Sequence, residues 1–585
     1  MAEISITGKN WEQQKIDERL VYKYINDFQL SDLISRILVS RNISENEVLD
    51  FIEPRIKNLL PHPVDLKDME KACNIVYRAI IEGKKITIFG DYDVDGATSS
   101  ALLKRLFNAL NANAEVYIPD RSDEGYGPTA SAMRKFKQNG SSLVITTDCG
   151  ITAFEAIDEA KNLDLEIIVL DHHMSELTLP NADAIINPNR FDEKTNLKHL
   201  AAVGVSFLFA VNLVSTLREY KYFENIKQPN LMELLDLVAL GTICDMMPLT
   251  GLNRAFVVQG LKVMAGKKNK GLKILSEIGG IDSIPNSYHL GFVLGPRINA
   301  GGRVGDAYLG SFLLSSEDEE KILEYAYKLE QYNLERKQIE KEVLDQAIIL
   351  AQKEEDKNFI IVASIDWHQG VIGIVAGRLK ERFQKPVAVI SIEDGLGKAS
   401  CRSIKGVDLG AKIVEAKNKG IIESGGGHSM AAGFSIDENN IDKLREFFHN
   451  ETSRDLEAIK NSSYFKYDIE VSPKGINLEL AKEIKKLEPY GIGNLEPIVR
   501  INGLFVLKAN LSNNAHISCL LAPDRNSFGS KAIRAISFNC AGTEIENILL
   551  SEKPYKLDVL GTIKINNWQG NTSVQLNIND IIINS

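Results

Sequence analysis

Between residues 66 and 250, short apolar runs alternate with helical stretches, and this alternation constrains the fold more than any other feature of the chain. Ile86–Phe89 precedes a helix candidate at Ala97–Ala109. Glu115–Ile118 and Leu143–Thr147 follow, then a helix near Ala153–Asn162, then Glu166–Leu170 and Ala184–Asn187. Strand-length runs separated by helix-length segments predict a parallel sheet with helices on both faces. Ligands of such sheets sit beyond the carboxyl ends of the strands. Asp91-Tyr-Asp-Val-Asp95-Gly96, Asp148-Cys-Gly150 and Asp171-His-His173 all fall at those ends, whereas Asp245 follows the helical run Leu231–Leu240, at Gly241-Thr-Ile-Cys-Asp245.

Carboxylates this close together repel and resist burial, and a divalent cation removes the conflict. Aspartates with one or two histidines suit a pair of hard ions, and the imidazole tilts the choice from Mg²⁺ toward Mn²⁺. Two ions about 3.5–4 Å apart can share a carboxylate, activate a water and stabilise charge in displacement at phosphorus. Phosphoester or phosphoanhydride hydrolysis is the chemistry this pattern favours. ATP-driven chemistry is disfavoured, because no GxxxxGK[ST] segment is present.

The chain of 585 residues exceeds a single core. Its hydrophobic fraction of 44% and charged fraction of 25% are those of a soluble globular protein. Apolar runs read as interrupted by charge short of the roughly 20 residues of a membrane span, and the start, Met1-Ala-Glu-Ile-Ser5, lacks signal-peptide character. Six scattered cysteines without a CxxC pair predict a reducing, cytoplasmic setting. A net charge of −11 argues weakly against nucleic acid, but net charge does not report local field.

Five regions are expected. Residues 1–65 read as an N-terminal arm, 66–265 as the metal-binding α/β domain, and 266–357 as a connecting segment with a long helix. That helix is expected to open at a capping box, Ser316-Glu-Asp-Glu319, and to run to about Glu355 as a solvated spacer of roughly 60 Å. Residues 358–455 form a second α/β unit with strands at Phe359–Ala363 and Pro386–Ile390 and two glycine-rich turns, Gly397–Ser403 and Gly425–Gly433. The tail, 456–585, shows β alternation at Tyr555, Leu557 and Val559 and at Val574, Leu576 and Ile578, with a turn at Asn566–Gly570, the pattern of a small barrel.

Asp91-Tyr-Asp-Val-Asp-Gly96, Asp148-Cys-Gly150, Asp171-His-His173 and Gly241-Thr-Ile-Cys-Asp245 resemble, in order, the four motifs of the DHH phosphoesterase superfamily. Glu124-Gly-Tyr-Gly127, Gly295-Pro-Arg-Ile-Asn-Ala-Gly-Gly-Arg303, Trp367–Val375, Gly425-Gly-Gly-His428 and Pro489-Tyr-Gly-Ile-Gly-Asn494 narrow the resemblance to its RecJ family of single-strand-specific exonucleases. The likeness covers nearly the whole chain. It implies a DHH-type parallel-sheet domain, a long helix, a DHH-associated α/β domain and a C-terminal OB-like barrel.

The resemblance also implies roles. Asp91 and Asp93 hold one metal ion, Asp95, His172 and Asp245 a second, and Asp148 bridges them. His173 approaches the scissile phosphate, and Asp171 orients a neighbour. Phe89 stands where some superfamily members carry a histidine ligand. Ser400 and Arg402 match the family's phosphate-gripping turn, and His428, with Gly426 and Gly427 before it, the family's glycine-rich histidine motif; the physical reading agrees, since glycine-turn N–H groups beside an arginine make an anion nest. Arg297, Asn299 and Arg303 form a further such segment, and Tyr126 is a candidate for base stacking. The implied activity is 5′→3′ hydrolysis of single-stranded DNA to mononucleotides, in repair and recombination, with two Mn²⁺ or Mg²⁺ ions. The implied enzyme is a monomer off the membrane that works with a single-strand-binding protein and a helicase. Two other readings remain: a phosphodiesterase for short oligonucleotides or cyclic dinucleotides, and a catalytically dead single-strand-binding replication scaffold.

Overall fold

The computed structural model describes residues 4–120, 124–460, 464–512, 515–525, 532–568 and 571–584. Chain contacts divide it into two units: Leu60–Met247 with Phe256–Asn461, and Met1–Leu59 with Pro248–Ala255 and Ser462–Ser585.

The larger unit begins with five strands: β1 (Lys85–Gly90), β2 (Ala114–Tyr117), β3 (Ser141–Thr147), β4 (Glu166–Leu170) and β5 (Ala184–Ile186). They pair in the order β2-β1-β3-β4-β5, all parallel. Phe89, Val144, Ile167 and Val169 point into one fully buried cluster with Met133 and Phe136. Ile88, Ile145 and Ile168, of opposite parity, are equally buried, so helices cover both faces. That double coverage is why the strands read as unbroken apolar runs. The chain leaves β1 toward β2 and returns on the other side at β3, so the sheet's switch point lies between β1 and β3.

Helix α1 (Val94–Ala109) starts three residues earlier than the apolar pattern suggests, because Asp93 caps it and accepts from the N–H of Asp95 and Gly96. Helix α2 (Ala202–Glu219) corrects the reading of the apolar runs: its 18 residues are apolar enough to cross a membrane by length and composition. The fold buries 78% of that stretch, so it is a core helix of this unit. Helix α3 (Leu235–Cys244) ends on Asp245, and α4 (Gly295–Val304) follows a π-helical turn, His289–Leu294.

The long helix, α5, spans Glu319–Gln352, 34 residues or about 51 Å. The capping box does not form. Asp318 is the cap, accepting from the N–H of Glu320 and Lys321, while Ser316 Oγ accepts from Asp318 N–H. Nor is the helix merely a solvated spacer. Ile322, Ala326, Leu329, Asn333 and Arg336 bury one stripe, and Val343, Ala347 and Ala351 enter the core of the second lobe.

That lobe is a mixed sheet of β6 (Ile360–Ser364), β7 (Val387–Glu393), β8 (Leu396–Arg402), β9 (Ser424–Gly427) and β10 (Ala431–Asp437), ordered β9-β10-β8-β7-β6. The two segments read as glycine-rich turns are largely strand: Gly397–Arg402 lies in β8, and Gly425–Gly427 forms edge strand β9 paired with β10. Their glycines depress strand propensity, so only the pairing partner reveals them.

In the smaller unit, β11 (Ile498–Ser512), β12 (His516–Ala522), β13 (Ile533–Ser537), β14 (Lys556–Trp568) and β15 (Asn571–Asn584) close into a barrel. The order is β11-β12-β13-β15-β14, β14 returns to β11, and only β13 and β15 run parallel within the closed ring. This is OB-fold topology. The turn placed at Asn566–Gly570 is entered as strand through Trp568, and residues 569–570 lie outside the described residues. The N-terminal segment packs within this unit: Asn10–Gln13 pairs with Tyr464–Tyr467, and Thr7 and Trp11 both donate to buried Asp580.

Candidate metal centre

Four loops meet at the carboxyl edge of the first sheet. Asp91 follows β1, Asp148 follows β3 and Asp171 follows β4, while Asp245 arrives from the end of α3. Asp148 adopts φ +62°, a left-handed conformation costly for a residue with a side chain. Two glycines make the convergence possible. A Cβ on Gly96 would stand 2.4 Å from the Asp91 carbonyl, and one on Gly241 would stand 2.4 Å from Thr98 Oγ1 and 2.9 Å from Asp95 Oδ1.

Potential ligand atoms gather in three overlapping groups: Asp91, Asp93 and Asp148; Asp95, His172 and Asp245; and Asp148, His172 and His173. His172 Nε2 lies 3.2 Å from Asp148 Oδ1, 3.6 Å from Asp245 Oδ2 and 3.9 Å from Asp95 Oδ2. Nε2 of His172 and Oδ2 of Asp245 are buried without a hydrogen-bond partner. Asp95, almost fully buried, accepts from the N–H of Ala202 (2.6 Å) and Val203 (2.9 Å) at the start of α2. Those two donors are backbone groups, which no side-chain pattern announces.

The carboxylates of the cluster crowd negative charge into a buried place. Burial, then Asp93, pushes the Asp95 carboxyl up to about 7. Burial, then Asp95 and Asp93, pushes Asp245 up to about 9. Burial, then the three aspartates of the first loop, raises Asp148 well above the carboxylate range. Burial, then His173, lowers His172 to about 4, so it is a neutral donor at physiological pH. Hard carboxylate oxygens with one bare imidazole nitrogen fit Mn²⁺ or Mg²⁺.

Asp171 takes another part: it belongs to none of the three groups. Its Oδ1 accepts from the N–H of His172 (2.7 Å), the N–H of His173 (3.1 Å) and the ring Nδ1 of His173 (2.7 Å), and its Oδ2 accepts from Ile151 N–H. Burial opposes its charge and is the largest single influence, but the His173 hydrogen bond, the His173 charge and the backbone donors together outweigh it and hold Asp171 below its ordinary value. Burial likewise disfavours the imidazolium of His173, yet the bond to Asp171 and the charges of Asp171, Asp245 and Asp95 together raise it to about 9. Tyr126 directs its hydroxyl to the Asp148 carbonyl at 3.3 Å and lies 3.4 Å from His173 Nδ1. Phe89 is a core side chain, fully buried beside Tyr117 and Phe136.

The other candidates follow one path through the same unit. A Cβ on Gly302 of α4 would touch the Tyr92 carbonyl at 2.9 Å, so α4 lies directly on the aspartate loop. Arg297, on this helix, is paired with Glu330 of α5 (2.6 Å). Asn299 is half-buried, and Arg303 donates to the Gly370 carbonyl at 2.9 Å. Gly370 precedes α6 (Ile372–Phe383). There a Cβ on Gly373 would meet Ser400 Oγ at 3.0 Å and Arg402 Nη2 at 3.3 Å. Arg402 donates to Ser400 Oγ and the Cys401 carbonyl, and burial lowers its pKa. Gly426, Gly427 and His428 are exposed, and His428 N–H donates to the Ala431 carbonyl.

A doubly covered parallel sheet with aspartates and histidines at its switch point, joined to a second lobe, defines a DHH-type protein. Residues 85–242 match the DHH family, N-terminal domain, residues 356–453 the DHHA1 domain, and residues 467–580 the RecJ OB domain. Identity with the single-stranded-DNA-specific exonuclease RecJ of Salmonella typhimurium is 35% over 568 residues, 94% of this chain and 96% of that protein. The corresponding Bacillus subtilis protein is 32% identical over 580 residues, 98% of this chain and 71% of that one. The chain belongs to the RecJ family. Among solved structures, RecJ from Thermus thermophilus in complex with Mn²⁺ matches with TM-score 0.78 at 26% identity, covering 98% of this chain and 79% of that one. An exonuclease RecJ bound to manganese matches with TM-score 0.57 at 31% identity, covering 68% and 96%.

Proposed function

We propose that this protein is a single-strand-specific DNA exonuclease that releases mononucleotides in the 5′→3′ direction, using two divalent ions, Mn²⁺ or Mg²⁺. The observation that carries the reading is the trio of overlapping ligand groups sharing Asp148 and His172 in a member of the RecJ family. Asp91, Asp93 and Asp148 would hold one ion, and Asp95, His172 and Asp245, with Asp148 between, the other. When bound, the ions supply Lewis-acid stabilisation of charge on the phosphate and lower the pKa of water.

The remaining work belongs to the chain's own side chains. His173, held through Nδ1 by Asp171, whose carboxylate favours the imidazolium, would present a proton at Nε2 to a phosphate oxygen. Tyr126 fixes the Asp148 backbone and borders the same imidazole. Ser400 and Arg402, on β8 beside Gly373 of α6, offer a positive, donor-rich position for a terminal 5′ phosphate, and the strand end at Gly426–His428 lies in the same sheet. Arg303 joins α4 to that lobe, and Asn299 lies on the same helix; Arg297, already paired with Glu330, contributes by re-pairing with DNA. The OB-type barrel suits single strands, through cationic and stacking contacts.

Repair and recombination are the processes we assign, and single-strand-binding protein and a helicase the partners, with a monomer acting in the cytoplasm. All six cysteines are free, as a reducing compartment requires. Replacing Asp148 by Ala is expected to abolish cleavage while leaving single-strand binding within about threefold; full activity with undiminished Mn²⁺ uptake would sink the two-ion assignment. Turnover of a dinucleotide should fall far below that of a long 5′-phosphorylated strand, and the reverse ranking would favour the short-substrate reading.

A further inference from the structure

The two histidines sit on one short stretch of backbone whose four polar groups are all bound by side chains. Asp171 takes both N–H groups. The two carbonyls are taken from the loop after β5: Asn187 Nδ2 donates to the His173 carbonyl at 2.9 Å, and Asn189 Nδ2 donates to the His172 carbonyl at 2.6 Å. Asn187 is fully buried, and its Oδ1 accepts from Asn189 N–H at 2.7 Å, so the two amides brace one another across Pro188.

Asn189 reaches further. Its Nδ2 also donates to the Lys198 carbonyl at 3.0 Å. A few residues on, the N–H groups of Ala202 and Val203 hold Asp95. One side chain thus ties the backbone of His172 to the segment of chain that orients Asp95. Asp93, by contrast, is held by N–H groups of the helix it caps, those of Asp95 and Gly96.

We infer that Asn189, braced by Asn187, is a positioning residue that selectively sets the ion position bounded by Asp95, His172 and Asp245. The inference rests on the two-ion reading above. A bare nitrogen buried among three carboxylates at 3.2–3.9 Å coordinates only if its ring is aimed; the carbonyl clamp prevents the 172–173 peptide from turning and swinging the two imidazoles apart. Loss of such outer partners typically weakens metal affinity by about 10–100-fold.

The test is Mn²⁺ titration by calorimetry and electron paramagnetic resonance on the full chain, comparing the unaltered protein with Asn189→Ala and with Asn189→Asp, which keeps the volume but loses the donor. The unaltered protein should take up two ions with a spin-coupled signal; uptake of any other number overturns the two-ion reading itself. Given two, both variants should weaken one ion by about 10-fold or more and leave the other within about threefold, converting the coupled signal to that of an isolated ion. In turnover, kcat should fall while KM for single-stranded DNA stays put. Two undiminished ions in a folded variant, or equal weakening of both, would overturn the inference.

Discussion

At the scale of single residues, the centre is a set of groups held in unfavourable charge states until cations arrive. Burial and neighbouring carboxylates raise Asp95 and Asp245 to about 7 and about 9, above the roughly 4 of an unfolded aspartate. Their folded-state pKa values are raised, so the stability they contribute is present at low pH and is lost as pH rises through those values. Bound ions replace the protons, and affinity should climb with pH as fewer protons must leave. The shift in Tm on adding Mn²⁺ is therefore expected to grow from about pH 6.5 to about pH 9; a shift that shrinks over that window would contradict the assignment. His173 makes a separate prediction. His173→Ala should lower kcat by about 10²–10⁴-fold, the range of a positioned proton donor, with metal uptake little changed. Measuring kcat beside the Mn²⁺ stoichiometry separates it from the ligands.

At the scale of elements, close approach of backbone decides whether the loops can converge. Gly241→Ala would drive a Cβ against Thr98 and Asp95, so we expect about 1–3 kcal/mol of destabilisation together with weaker metal binding. Thermal melts with and without Mn²⁺ check both. In the smaller unit, Arg254 is buried, lies over the Phe51 ring, and donates to the carbonyls of Phe51, Leu487, Glu488 and Pro489. Arg254→Met would leave those carbonyls bare, and a loss of about 3 kcal/mol or more in denaturant melts is expected. The elements legible in the sequence are those whose physics is local or two-sided. The five strands of the first sheet stand out because both faces are buried, and each aspartate group because it interrupts such a run. Strands β8 and β9 do not stand out, because glycine hides their periodicity until β10 pairs with them. The cap at Asp318 displaces a capping box of equally plausible spelling. The donors to Asp95 and the amides of Asn187 and Asn189 carry no motif; only proximity in space reveals them.

At the scale of the whole molecule, the proposed reaction gives the DHH-type sheet, the DHHA1-type lobe and the OB-type barrel one task each: hydrolysis, grip on a terminal phosphate, and tracking of the backbone. The barrel unit incorporates residues from both ends of the chain and the segment Pro248–Ala255, so it is a composite that composition alone did not delimit. The most direct measurement is product appearance from 5′- and 3′-labelled single strands and a blunt duplex, with purified protein and Mn²⁺ or Mg²⁺. Labelled mononucleotide should appear first from the 5′-labelled single strand, with the duplex resistant and chelator abolishing all release. Release first from the 3′ label, equal degradation of the duplex, or activity indifferent to chelator would contradict the account.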